Sequence, residues 1–205
     1  ESGTTPDFVV VDGGEGGTGA APTEFSDHIG MPMREGLLFV RNTLVGAGIR
    51  DRIKIGAAGK ITSAYDMASI LALGADWVNA ARGYMFALGC IQSLSCHTNR
   101  CPTGVATQAP KRQQALVVPD KAERVRNFHD NTLMALADML AAAGVAHPDD
   151  LRPHHLHRRV SANEIRQVSE LHTFLDPGVL VRGECPDGFF RQNWDMARAD
   201  SFDPA

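Results

Sequence analysis

The sequence predicts an α/β fold built on a short parallel sheet. Two observations carry that expectation. Three compact apolar runs, in "FVVV", "RIKIGAAG" and "DWVNAARG", each lead into glycine-containing sequence. Between them lie segments with helical spacing, so a strand–turn–helix unit repeats, and such repeats imply parallel strands. Runs that are apolar throughout suit strands covered on both faces.

Phe8–Val11 is the first strand, bounded by Pro6-Asp7 and by Asp12-Gly13-Gly14. In "MREGLLFVRNTLVGAG", Leu37, Leu38, Arg41, Leu44 and Val45 fall at helical spacing, and Gly46 and Gly48 can stop the helix. Ile53–Ala57 reads as the second strand. Thr62 or Ser63 can cap the next helix, "AYDMASILALGA", which Gly74 ends. The third strand follows, running to Arg82-Gly83. A long helix comes after it, with Asp120 as cap, Glu123 completing a capping-box pair, an apolar stripe through Val125, Phe128, Leu136 and Leu140, and Gly144 as stop. Beyond Gly144 the chain turns polar and histidine-rich, which predicts short helices on the outside of the main domain. From Asp176 an extended tail is expected, docked in part through Phe189, Phe190 and Trp194. Three strands can be the last third of an eight-stranded barrel or half of an open doubly wound sheet.

The chain's 205 residues suffice for one domain with a sizeable core. A net charge of −4 gives no electrostatic reason to expect nucleic acid or an anionic membrane as partner. No apolar run approaches the roughly 20 residues of a membrane helix, and no signal peptide opens the chain. Four cysteines, three of them clustered, do not resemble a secreted disulfide framework, so a cytoplasmic location is expected. The chain starts without Met and reaches a strand almost at once, which suggests a fragment or a processed chain.

Ligands of parallel α/β folds sit at the C-terminal ends of the strands. There the chain has Gly13, Gly14, Gly16, Gly17 and Thr18 after the first strand, Gly59 and Lys60 after the second, and Arg82 and Gly83 after the third. Glycine lets backbone N–H groups approach an anion, and Lys60 and Arg82 supply full positive charge. The same glycines also suit plain tight turns. The first loop is neither a Walker-type phosphate loop nor a dinucleotide fingerprint. Asp12 and Glu15 can act as acid or base, or Asp12 can simply orient the turn.

Cys90, Cys96 and Cys101 form C-x5-C-x4-C with Pro102 directly after. Three readings stay open from spacing: an iron–sulfur site, a zinc site with His97 as a strained fourth ligand, and unligated thiols. Cys185 reads as an inert thiol. His154, His155 and His157 read as exposed surface residues rather than metal ligands.

"GGTGAAP" (16–22), "GAAGKITSAYDMASILALGA" (56–75) and "ALGCIQSLSCHTNRCPTGVATQ" (87–108) resemble the flavin-binding synthase domain of the glutamate synthase family. The resemblance runs to about Gly144. It implies the C-terminal portion, about three βα units, of an FMN-binding (β/α)8 TIM barrel at 1–145, with an iron–sulfur loop at 89–108. A helical extension and irregular tail then occupy 146–205. It implies a 3Fe–4S cluster on Cys90, Cys96 and Cys101. It places Gly59, Lys60, Arg82 and Gly83 at the FMN phosphate, and the loop from Gly13 to Gly19, with Gly14, Gly16, Gly17 and Thr18, at the flavin and substrate face. The implied reaction is L-glutamate formation from 2-oxoglutarate and ammonia, with electrons passing through the cluster to FMN. No proton donor is assigned. Hydrogen bonds from loop N–H groups, with His97 or Asn99 nearby, are expected to tune the sulfurs. The implied partners are the N-terminal remainder of the barrel and a glutaminase or electron-donor subunit. Two alternatives remain: an N-methylglutamate-type synthase subunit, or a non-catalytic electron-transfer or scaffold fragment.

Overall fold

The structure is a computed structural model and describes residues 3–15, 24–201 and 203. Strands β1 (Phe8–Asp12), β2 (Lys54–Ala58) and β3 (Trp77–Asn79) pair in parallel, in the order β1-β2-β3. The register sets Val9 beside Ile55 and Val11 beside Ala57. Side chains alternate along a strand, so these four share one face. Helices α1 (Met33–Gly46) and α2 (Ala64–Ala72) cover that face, and Leu37, Ile55 and Ile70 between them are fully buried.

The other face departs from the expectation of strands covered on both sides. Phe8 and Val10 remain 57% and 45% exposed. The Trp77 indole lies across Gly56, where a Cβ would come within 2.5 Å of the ring, and it meets Phe8 edge-on at 5.6 Å. Glycine in the middle of β2 is therefore demanded by an aromatic neighbour rather than by a turn.

The helix ends follow local chemistry in part. Ser63 caps α2: its Oγ accepts from Asp66 N at 3.1 Å, and Asp66 accepts from Ser63 N at 3.0 Å, a complete capping box. Helix α1 starts at Pro32 without a cap of its own. Instead Glu15, from the loop after β1, accepts from Met33 N at 2.8 Å. Helix α3 (Arg82–Leu88) corrects one expectation: Arg82 and Gly83 belong to its first turn, not to the end of β3. A short α4 (Pro110–Gln113) precedes α5 (Val118–Ala142). Asp120 does not cap α5. The helix begins two residues earlier, with Pro119 in its first turn, where a fixed φ and a missing N–H are tolerated. Gly144 ends it at φ +73 as expected.

Helix α5 forms an outer layer. Ala64, Ala68 and Ala72, one small-residue stripe of α2, pack against Leu136, Leu140 and Leu151. Gly83 on α3 is buried against Phe128, where a Cβ would approach Phe128 Cζ to 2.7 Å. Tyr84 meets the Phe128 ring edge-on, and its hydroxyl bonds His129 Nδ1 at 2.6 Å.

The segment after α5 is not the run of short helices that the sequence suggests. Beyond two 3-10 turns, β4 (His157–Ser161) and β5 (Glu164–Gln167) form an exposed antiparallel hairpin, followed by α6 (Val168–Leu171). All residues of its strands but Gln167 are exposed, so no buried face marks them as strands in the sequence. The tail docks by its backbone as well as its aromatics. Buried Asn42 donates to Thr173 O at 2.8 Å and accepts from Leu175 N at 3.1 Å. Leu180 packs on Gly46, and α7 (Gly188–Met196) stacks Phe190 on Phe39 at 5.8 Å. Of the three expected anchors only Phe190 is buried, while Phe189 and Trp194 stay substantially exposed. Among the described residues no helix is long and apolar enough to cross a membrane.

Asp76 ties the base of β2 to the turn before β3. It accepts from Arg50 Nη2 at 2.8 Å, Lys54 Nζ at 3.0 Å and Ile55 N at 2.7 Å. Burial opposes its ionisation, but the Ile55 N–H, the Lys54 ammonium and the Arg50 guanidinium outweigh it and hold the carboxyl below its usual value. A depressed carboxyl contributes stability above the unfolded-state value, about 3.9. That contribution is lost as pH falls through the lower folded-state value. Asp76→Asn should therefore cost about 1–3 kcal/mol at pH 7. In urea denaturation the gap to the wild type should hold down to about pH 5 and close below the unfolded-state value. A gap independent of pH through acid would remove this role.

Candidate functional site

The loops at the C-terminal ends of β1 and β2 interlock. Gly13 N donates to Ala58 O at 3.0 Å, Gly14 N donates to Met31 O at 2.8 Å, and Asp27 N donates to Gly14 O at 2.9 Å. A Cβ on Gly13 would come 2.5 Å from Met33 Cβ, and one on Gly59 would come 2.6 Å from the same atom. These glycines therefore let the two strand ends close onto the start of α1. The N–H groups of Gly13 and Gly14 are spent on that closure. Gly16, Gly17 and Thr18 lie outside the described residues.

Glu15 sits where these loops meet. Its Oε1 accepts from Met33 N, while Oε2 is buried with no hydrogen-bond partner among the described residues. It lines a cavity of about 290 Å³ together with Met33, Gly59, Lys60 and Asp66. The sequence offered Glu15 as an acid or base, and the structure gives it the capping of α1.

Lys60 takes a left-handed backbone at φ +48, and its partner Asp27 does the same at φ +67. The Lys60 ammonium donates to both Asp27 oxygens, at 2.5 and 2.6 Å. That hydrogen bond, with the charges of Lys60, Arg82 and His28, holds the Asp27 carboxyl below its usual range against a smaller opposing effect of desolvation. Two cations that the sequence places on successive units thus act on one carboxylate. Asp27 was not legible as a participant, because it lies 33 residues from Lys60 and in no motif.

Arg82 also reaches the cysteine loop. It lines a small cleft of about 20 Å³ with Cys90, Gln92, Leu94 and Cys96. Burial, and then the neighbouring Cys90 and Cys101, push the Cys96 thiol up, while Arg82 acts in the opposite direction. The three sulfurs are therefore near enough to feel one another. Among the described residues, however, no three Cys, His, Asp or Glu side chains stand at metal-holding spacing.

Cys101 is buried, and burial alone would raise its thiol. Hydrogen bonds from the Thr103 hydroxyl and from the N–H groups of Ala106, Thr103 and Val105 reverse that and bring it to about 7. Gln92 N also points at Cys90 Sγ, at 3.4 Å. Sulfur acceptors ringed by N–H and O–H donors suit a thiolate ligand. The donors are Thr103 and the backbone, not His97 or Asn99. His97 is exposed, and Asn99 instead latches the loop by accepting from Thr107 Oγ1 at 2.9 Å and Gln108 N at 2.6 Å. The Cys-Pro-Thr-Gly order was the available signal for Thr103, a hydroxyl two residues beyond the thiol.

The sequence pattern of the conserved region in glutamate synthase matches residues 1–146. The chain belongs to the glutamate synthase family. It is 44% identical over 176 residues to the glutamate synthase large subunit-like protein YerD of Bacillus subtilis, covering 85% of this chain and 34% of that protein. It is 39% identical over 146 residues to the archaeal glutamate synthase (NADPH) of Methanocaldococcus jannaschii, covering 71% of this chain and 29% of that one. It is 33% identical over 175 residues to the chloroplastic ferredoxin-dependent glutamate synthase 2 of Arabidopsis thaliana, covering 85% of this chain and 10% of that one. The chain thus spans about a third or less of the curated relatives it matches, and the family match over 1–146 includes the cysteine loop, Lys60 and Arg82.

Proposed function

We propose that this chain is the C-terminal part of the FMN-binding barrel of a glutamate synthase-like oxidoreductase that forms L-glutamate from 2-oxoglutarate and ammonia. One observation carries the reading: Arg82 lines the cleft of Cys90 and Cys96 and its charge also acts on the Asp27 carboxylate that Lys60 binds, so one cation links the thiol loop to the Lys60 turn. When bound, FMN would supply hydride to 2-iminoglutarate, and a 3Fe–4S cluster would supply the electrons that reduce the flavin. Lys60 and Arg82 would hold the flavin phosphate, with the Asp27 carboxylate as a competitor for Lys60. Cys90, Cys96 and Cys101 would hold iron as thiolates, and Thr103 with the N–H groups of Val105 and Ala106 would stabilise the negative sulfur of Cys101. Gly13, Gly14 and Gly59 keep the floor of the site closed against α1. The exposed Phe8 and Val10 face, and a β1 paired on one side only, support completion of the barrel by further strands.

Phosphate recognition is tested by comparing FMN with riboflavin in the complete protein. Lys60→Gln or Arg82→Gln should weaken FMN about 10–100-fold, as loss of a charge-assisted hydrogen bond does, and leave riboflavin unchanged. Iron content should survive Lys60→Gln. Asp27→Asn removes the competing carboxylate and should tighten FMN by about two- to fivefold. Equal FMN retention in all three variants would remove the phosphate assignment.

A further inference from the structure

A second cationic site lies at the opposite end of the sheet. A cavity of about 400 Å³ opens beneath the N-terminal ends of β2 and β3, away from Lys60 and the cysteines. Arg41, Arg50, Lys54 and Arg152 line it, converging from α1, the turn before β2, β2 itself and the segment after α5.

Their pairing is incomplete. Arg50 and Lys54 share Asp76. Arg41 places Nη1 on the Asn42 side-chain oxygen at 3.0 Å and lays its guanidinium over Phe174 at 5.1 Å. Among the described residues the Arg152 guanidinium donates only to main-chain oxygens, of Asp149 at 2.6 Å and Leu151 at 2.7 Å. Among the described residues neither Arg41 nor Arg152 has a carboxylate at ion-pair distance. Asp51 and Asp149 also border the cavity, but both are exposed and the Asp149 carboxylate turns to His147 at 3.5 Å. Gly74, at φ +111, makes room for the Arg41 stem, since a Cβ there would sit 2.7 Å from Arg41 Cδ.

Two guanidinium groups in one cavity with no carboxylate at ion-pair distance repel one another and leave N–H donors for an oxyanion. Burial, and then the charges of Arg50 and Arg152, push Arg41 below its usual value, which agrees with a site short of negative charge. We propose that this cavity binds the phosphate group of a small metabolite, gripped between Arg41 and Arg152, as a site separate from the cofactor face. The cavity is larger than a bare phosphate, so the ligand carries an organic portion directed toward Leu71, Ala72 and Pro153. This inference does not depend on the proposed flavin site.

The test is equilibrium binding of inorganic phosphate to the complete protein at constant ionic strength, alongside its Lys60→Gln, Arg41→Gln and Arg152→Gln variants. Phosphate is expected to bind, and Arg152→Gln to weaken it at least about tenfold, as loss of a charged hydrogen bond implies. Lys60→Gln should leave that binding in place, which separates it from the flavin phosphate position. Arg152 is exposed, so its variant decides the matter even if Arg41→Gln unfolds. Absence of phosphate binding, binding unchanged in Arg152→Gln, or binding lost in Lys60→Gln would each overturn the proposal.

Discussion

Cys101→Ala should strip iron from the complete protein and reduce glutamate formation by more than the roughly 10–100-fold that loss of an outer-shell partner costs a metal site. Cys101 is the most buried of the three loop cysteines and the one whose sulfur has the densest ring of donors, from the Thr103 hydroxyl and the N–H groups of Thr103, Val105 and Ala106. Removing the sulfur leaves those donors aimed at a methyl group. Thr103→Ala is the graded control: it keeps all three thiols and deletes one hydroxyl 3.5 Å from Cys101 Sγ. Iron and sulfide analysis with electron paramagnetic resonance separates the two variants. Cys101→Ala should show no cluster signal, and Thr103→Ala a retained cluster with a shifted potential. Full iron content in Cys101→Ala would refute the ligand assignment.

Leu37→Ala should cost about 2–5 kcal/mol. Leu37 is fully buried in the core that α1 and α2 share with the face of β1 and β2, beside Ile55 and Ile70. The cavity left behind cannot close easily. The glycine contacts of the strand ends and Glu15 fix the start of α1, and Asn42 and Leu180 fix its end. For a chain of this size the melting temperature should fall by roughly 5–20 °C. Val10→Ala, on the exposed face, should shift it far less in the 205-residue chain. Comparable shifts for the two would mean that the core is not where the buried residues place it.

Particular residues show how far the sequence could be read. The parallel three-stranded order, the Ser63 cap and the Gly144 stop were legible because each rests on signals a few residues apart. Asp120 misled because a capping-box pattern competes with Pro119, and the proline won the first turn. The hairpin at 157–167 was missed because its strands are exposed and polar almost throughout, a pattern that resembles an exposed helix as readily. In the candidate site, Lys60, Arg82 and the cysteines were named from their place after strands. Gly83 was named for the same reason, although Phe128, 45 residues later, already requires it to be small.

Spacing along the chain was therefore enough to read the βα order, three thiols in one loop and a cation following each of the last two parallel strands, since periodicity and capping act over a few residues. Tertiary structure alone set Asp27 against Lys60, sent Glu15 to cap α1, and brought Arg82 within reach of both the Lys60–Asp27 pair and Cys96. It also gathered Arg41 and Arg152 around one cavity. Coulomb forces and close packing depend on distance in space, and a folded chain brings together residues whose separation in sequence carries no record of the contact.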